Sequence, residues 1–125
     1  MYELKIITQF AAAHHLRAFK GKCEQLHGHN WKVEVYLRAS QPDETGLVKD
    51  FGEIKAVTQE VLQRLDHTYL NDQAYFQQEN PSSENIARYL FRELSRLLDD
   101  SRTRISKVTV WESDTACASY WEEQG

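Results

Sequence analysis

The sequence is poor in cysteine and lacks a long apolar run. Its 125 residues include two cysteines, Cys23 and Cys117. Two are too few for a disulfide framework, so both thiols are expected to be reduced. No stretch is long enough to cross a bilayer, and the first residues, which Glu3 and Lys5 interrupt, lack the apolar core of a signal peptide. We therefore expect a cytoplasmic protein with no membrane partner.

The chain also lacks an excess of positive charge. Its formal net charge of -4 at pH 7 gives no reason to expect nucleic acid as a partner. Hydrophobic residues make up 41% of the chain and charged residues 27%, which is ordinary for a soluble protein. A chain of 125 residues suits one compact unit. The prediction is therefore a single domain that spans residues 1–125.

Hydrophobic periodicity divides the chain into strands and helices. Alternation predicts two strands first and a hairpin last, and two helical stripes lie between them, with a serine of Pro81-Ser82-Ser83-Glu84 capping the second helix. The predicted ranges are strands at 2–12 and 29–38, helices at 51–65 and 81–97, and strands at 104–112 and 115–121. This ββααββ order predicts an α+β domain, most simply a four-stranded antiparallel sheet with two helices on one face. The exposed edges of such a sheet are commonly paired with other subunits.

Histidine is concentrated near the start of the chain, where four of the five histidines lie between residues 14 and 29. Successive side chains of a strand point to opposite faces, so His27 and His29 project the same way. If His14 folds back beside them, three nitrogen donors leave a fourth position open, as in catalytic zinc sites. Cys23 could close that site as a fourth ligand, or act as a reactive group beside an open one. An isolated His-x-His pair is more often an ordinary polar pair.

Two carboxylates outside this cluster are further candidates. Asp66 precedes His67 just after the first helix, and a carboxylate can hold an imidazole in one tautomer where the two side chains meet. Adjacent residues meet in a turn but not on a helix, so the alternative is an ordinary polar pair at a helix end. Glu112 ends an apolar strand, where a buried carboxylate would need a partner with several N–H donors. Its alternative is to be the first exposed residue after the strand.

Six segments, taken in order, resemble those of a known family. They are Phe10 to Leu16, the Cys-x-x-x-His-Gly-His segment from Cys23 to His29, Gly46 to Lys55, Leu65 to Asn71, Glu79 to Asn85, and Glu112. Together they resemble the 6-pyruvoyltetrahydropterin synthase superfamily over nearly the whole chain. Three residues separate Cys23 from His27. This spacing resembles that of the bacterial queuosine-pathway branch, the 6-carboxytetrahydropterin synthases.

The resemblance implies a zinc-dependent lyase of the tunnelling fold. Its expected reaction converts 7,8-dihydroneopterin 3′-triphosphate to 6-carboxy-5,6,7,8-tetrahydropterin, with release of acetaldehyde and triphosphate, in queuosine biosynthesis. The alternatives are a 6-pyruvoyltetrahydropterin synthase and, outside enzymes, a zinc-stabilised binding module with a closed Cys-His-His-His site. The resemblance also implies a homohexamer, in which the sheets of each trimer form a barrel, two trimers stack, and active sites lie where subunits meet.

The same resemblance assigns roles to residues at matching positions. His14, His27 and His29 would bind Zn²⁺. Cys23 would accept a proton, and Asp66 and His67 would complete its relay. Glu112 would anchor the pterin ring and join the relay, and Ser83 and Glu84 would lie near the pterin as a hydroxyl-plus-glutamate pair.

Overall fold

Five strands and two helices make up the part of the chain that this computed structural model describes, residues 1–18 and 25–123. The elements are β1 (Tyr2–His14), β2 (His27–Ala39), α1 (Phe51–Leu62), β3 (Thr68–Tyr69), α2 (Ser83–Leu98), β4 (Thr103–Ser113) and β5 (Ala116–Tyr120). Two short 3₁₀ turns, Leu70–Asp72 and Ala74–Phe76, lie between β3 and α2. The α+β class and the order of the six predicted elements are confirmed, and β3 is an addition.

The sheet is five-stranded and mixed, with the strand order β3-β1-β2-β4-β5. The expectation of a four-stranded, purely antiparallel sheet is therefore wrong. β3 runs parallel to β1 and pairs only with Ala12 and Ala13. Its two residues are too few to show an alternating pattern in the sequence. A turn places it there, because His67 has a φ of 58° and its N–H donates to the Ala11 carbonyl at 2.5 Å.

One face of the sheet and both helices share a single hydrophobic core. Along β2, the apolar face predicted from the sequence is confirmed, because the odd-numbered residues from Trp31 to Leu37 are fully buried. The opposite face is less exposed than predicted, because Glu34 is buried there. The helix α2 contributes its apolar stripe, and its first turn is capped by the Ser82 hydroxyl, which accepts from the Asn85 N–H at 3.1 Å. Among the described residues, neither helix is long and apolar enough to span a membrane. This packing fixes the ends of β1, β2 and β4 beside the start of α2.

The two edges of the sheet differ in how they are covered. Within the described chain, β3 lies beside β1 only at Ala12 and Ala13, so most of the outer edge of β1 has no strand next to it. The strand β5 forms the opposite edge. Such edges are places where another chain can add a strand.

Candidate metal centre and active site

Four side chains converge where β1, β2 and β4 come together. They are His14, His27, His29 and Glu112, and one potential ligand atom from each lies within 4.8 Å of the others. His14 ends β1 and is the register partner of His27, the first residue of β2. His29 follows two residues later on the same face of β2. The strand register thus brings His14 to the His-x-His pair.

Main-chain carbonyls orient two of these rings. His14 Nδ1 donates to the Pro81 carbonyl at 2.7 Å, and His27 Nδ1 donates to the Gln25 carbonyl at 2.8 Å. A carbonyl can only accept, so each Nδ1 carries its proton and a neutral ring has its lone pair on Nε2. A main-chain carbonyl bonded to Nδ1 is typical of histidines that bind a metal through Nε2.

The Nε2 atoms of His14 and His27 lie only 3.1 Å apart. The His14 side chain is 1% exposed, and burial is the main reason that its pKa lies below the usual value, which favours the neutral ring. Two lone pairs at this distance need a proton or a metal ion between them. Three imidazole nitrogens and a carboxylate oxygen are ligands that zinc accepts. The residues present therefore fit a bound divalent metal.

Glu112 brings the negative charge of the cluster. Its Oε1 atom lies 3.3 Å from the Nε2 atoms of both His14 and His29. Ligand atoms around a tetrahedral zinc are about 3.3 Å apart when the bonds are about 2.0 Å. The Glu112 side chain keeps 40% of its surface exposed, so the same carboxylate is open to a small molecule.

Trp31 supports the rings from the core side. Its indole ring contacts His14 and His29 edge-on, with centroid distances of 4.8 and 5.1 Å. The indole is fully buried, and its Nε1–H donates to the Ala12 carbonyl at 3.2 Å. A locked tryptophan at this place restricts the directions that the two imidazoles can take.

Asp66 and His67 meet in a turn. Asp66 Oδ2 lies 3.0 Å from His67 Nδ1, and Asp66 Oδ1 accepts from the Ala11 N–H at 2.9 Å. The Ala11 bond is the main cause that lowers the pKa of Asp66, so the carboxylate is charged at neutral pH. The His67 side chain is 82% exposed. The pair lies beside the outer edge of β1, and His67 lines the same surface pocket as His29 of the four-residue cluster.

The remaining predicted site residues lie at the start of α2 or beyond the described chain. Ser83 is half-buried and Glu84 is exposed in the first turn of α2, just after the Pro81 carbonyl that binds His14. Cys23 lies outside the described residues.

Asn71 and Asn80 have no role that a sequence pattern predicts. Both side chains bind the main chain that follows His14. Asparagine in a loop often replaces a main-chain partner, but the sequence does not show which one.

The fold and the cluster define a small α+β protein in which three histidines and a glutamate, at the ends of the central strands, could hold a metal ion. The chain belongs to the 6-pyruvoyl tetrahydropterin synthase family, whose family model matches residues 3–123.

Proteins with known names and structures resemble most of the chain. A Synechocystis sp. protein named 6-carboxy-5,6,7,8-tetrahydropterin synthase is 37% identical over 117 residues, which cover 90% of this chain and 87% of that protein. A Haemophilus influenzae protein of the same name is 27% identical, over 98% of this chain and all of that protein. The structure of Caenorhabditis elegans 6-pyruvoyl tetrahydropterin synthase matches with a TM-score of 0.84 and 27% identity, over 98% of this chain and 96% of that one.

Proposed function

We propose that this protein is a zinc-dependent 6-carboxytetrahydropterin synthase of queuosine biosynthesis. Its substrate would be 7,8-dihydroneopterin 3′-triphosphate, which with one water gives 6-carboxy-5,6,7,8-tetrahydropterin, acetaldehyde and triphosphate. The observation that carries the proposal is the convergence of His14, His27, His29 and Glu112. The names of the Synechocystis and Haemophilus relatives support the choice of product.

His14, His27 and His29 would hold the metal through Nε2. When bound, zinc supplies Lewis-acid activation of a substrate hydroxyl and so makes the neighbouring C–H more acidic. Cys23, assigned by resemblance, would accept that proton. A thiol near a cation is deprotonated more readily than a free one, which suits this role.

Asp66 and His67 would relay the proton. Because Nδ1 of His67 faces the Asp66 carboxylate at 3.0 Å, the pairing favours a proton on Nδ1 and leaves Nε2 for exchange with the reacting groups. The exposed ring at the outer edge of β1 suits a partner subunit. We propose that His67 serves the site of a neighbouring chain in a homohexamer built from two trimers.

Glu112 would hold the pterin. A carboxylate can accept two parallel hydrogen bonds from an aminopyrimidine edge, which would fix the side chain of the substrate over the histidines. Ser83 and Glu84 would contact the pterin from the start of α2. Their position supports this role, because Ser83 follows Pro81 by two residues and the Pro81 carbonyl is bonded to the His14 ring.

Product analysis tests the proposed function. The purified protein is incubated with 7,8-dihydroneopterin triphosphate, and acetaldehyde, triphosphate and the pterin product are measured together with bound zinc. Acetaldehyde in equal amount to 6-carboxytetrahydropterin is expected. A pyruvoyl product without acetaldehyde would instead indicate a 6-pyruvoyltetrahydropterin synthase. Bound zinc with neither product would indicate a zinc-stabilised binding module.

A further inference from the structure

The outer edge of β1 continues past the end of the strand, but its partners there are side chains. In an extended chain, alternate residues present their N–H and C=O to the same edge. At Ala11 this edge is bonded to Asp66 Oδ1 and the His67 N–H, and at Ala13 it lies beside β3. His15 is the next residue of the series, and Arg17 lies in the turn that follows.

Asn71 takes the place of a neighbouring strand at His15. Its Oδ1 accepts from the His15 N–H at 3.0 Å, and its Nδ2 donates to the His15 carbonyl at 3.0 Å. The side chain thus presents an acceptor and a donor to one residue, as a paired strand does. Asn71 is 5% exposed, so the amide side of both bonds is shielded from water.

Asn80 does the same at Arg17. Its Oδ1 accepts from the Arg17 N–H at 2.8 Å, and its Nδ2 donates to the Arg17 carbonyl at 3.1 Å. The main chain of Asn80 is itself held, because Asn85 Nδ2 donates to its carbonyl at 2.8 Å. The Arg17 guanidinium joins the two segments by donating to the Asn71 carbonyl at 3.0 Å.

These bonds flank the most buried histidine of the cluster. His14 directly precedes His15, the residue whose main chain Asn71 holds. The His14 Nδ1 donates to the carbonyl of Pro81, the residue directly after Asn80. We propose that Asn71 and Asn80 are positioning residues for His14. Together they fix its main chain and bring the Pro81 carbonyl onto its ring. The proposal rests on the metal site of the proposed function, and it goes further by naming what holds that site in shape.

Zinc affinity measures this role. Protein loaded with zinc is titrated with a chromophoric chelator, and the competition gives the zinc Kd of the parent, Asn71→Ala and Asn80→Ala. Removal of a group that bonds a metal-ligating histidine directly typically costs about 10- to 100-fold in metal affinity. Asn71 and Asn80 act one step further out, through the main chain and Pro81, so we expect a loss near the lower end, about tenfold, for each variant. The visible spectrum of the Co²⁺-loaded variants should also shift, because the ligand His14 is displaced.

A matched control separates positioning from general stability. Gln73 also uses a side-chain amide to hold a main-chain carbonyl, that of Arg64 at 3.2 Å, but it does not hold the chain next to His14. Gln73→Ala should lower the urea midpoint of unfolding as the asparagine variants do, yet keep the zinc Kd within about threefold of the parent.

Asn80→Asp tests the clamp without removing the side chain. It keeps the acceptor for the Arg17 N–H and loses the donor to the Arg17 carbonyl, so its zinc Kd should lie between those of the parent and Asn80→Ala. If Asn80→Ala does not fold, Asn80→Asp decides in its place; if Asn71→Ala does not fold, Asn71→Ser, which adds no buried charge at this 5% exposed site, does so. Zinc affinities within twofold of the parent, or an equal loss in Gln73→Ala, would overturn the proposal. A parent that binds no zinc would refute the proposed function instead.

Discussion

His14 and His15 are adjacent in the sequence, but their rings make separate sets of contacts. The His14 ring lies in the cluster with His27, whereas His15 Nδ1 is hydrogen-bonded to the Tyr69 hydroxyl at 2.6 Å. Successive side chains of an extended chain point to opposite sides, which explains the separation. Only the first histidine of the pair is thus placed to bind a metal with His27.

The two neighbouring histidines allow a matched test of the metal ligands. His14→Ala should weaken zinc binding by at least about 100-fold, the upper end of the loss caused by removing an outer-shell partner. His15→Ala should keep the parent affinity within a few-fold, because it removes the contact with Tyr69 and leaves the main chain clamped by Asn71. Chelator competition measures both. Equal losses in the two variants would contradict the assignment of His14.

Glu112→Gln should separate pterin binding from metal binding. Three imidazoles suffice for a catalytic zinc site, so we expect zinc affinity to fall by about tenfold or less. Pterin affinity, measured by calorimetry with the zinc-loaded protein, should fall by more, because the amide presents a donor where the ring also has one. Asp114→Asn, an exposed acid in the turn after β4, is the control and should change neither. If zinc affinity falls more than pterin affinity, the main role of Glu112 is to bind the metal.

Mixed assembly tests whether His67 acts in a neighbouring subunit. Cys23→Ala and His67→Ala should each be inactive, and a mixture that is unfolded and refolded together should regain part of the parent activity. Mixed interfaces would then join an intact Cys23 to an intact His67. The control mixture of Cys23→Ala with His29→Ala should stay inactive, because both residues would belong to the same chain's part of the site. Mixed oligomers without recovered activity would count against a shared site.

Glu34 should make the stability of the protein depend on pH in the acid range. Its side chain is buried on the sheet face opposite the core, and burial alone would raise its pKa. Three contacts outweigh burial and lower the pKa of Glu34: Trp111 Nε1 donates at 2.5 Å, the Tyr36 hydroxyl donates at 3.0 Å, and the Lys5 ammonium lies at 3.3 Å. The charged form therefore stabilises the fold above the unfolded-state pKa of about 4.3. This contribution is lost as the pH falls through the lower folded-state pKa.

Urea unfolding at a series of acid pH values measures this effect. The free energy of unfolding of the parent should fall with pH below about 4.3, and Glu34→Gln should show a shallower fall. Glu60→Gln, which changes an exposed glutamate of α1, should keep the slope of the parent. Identical slopes in the parent and Glu34→Gln would show that Glu34 does not carry the dependence.

Local periodicity was enough to predict most of the fold. The alternation around Trp31 and the apolar stripe of α2 depend only on the repeat of a strand and a helix, so their faces can be predicted without tertiary structure. The same repeat placed His27 and His29 on one side of β2. The serine at the start of α2 also acts locally, through the Asn85 N–H.

Only the tertiary structure shows which side chains lie beside His27 and His29. The register of β1 on β2 places His14 opposite His27, and Glu112 reaches the cluster from β4, 98 positions further along the chain than His14. The short strand β3, the Asn71 and Asn80 clamps and the Pro81 carbonyl depend on loops that fold against the edge of β1. Contacts between segments so far apart are set by packing of the whole domain, and no local repeat encodes them.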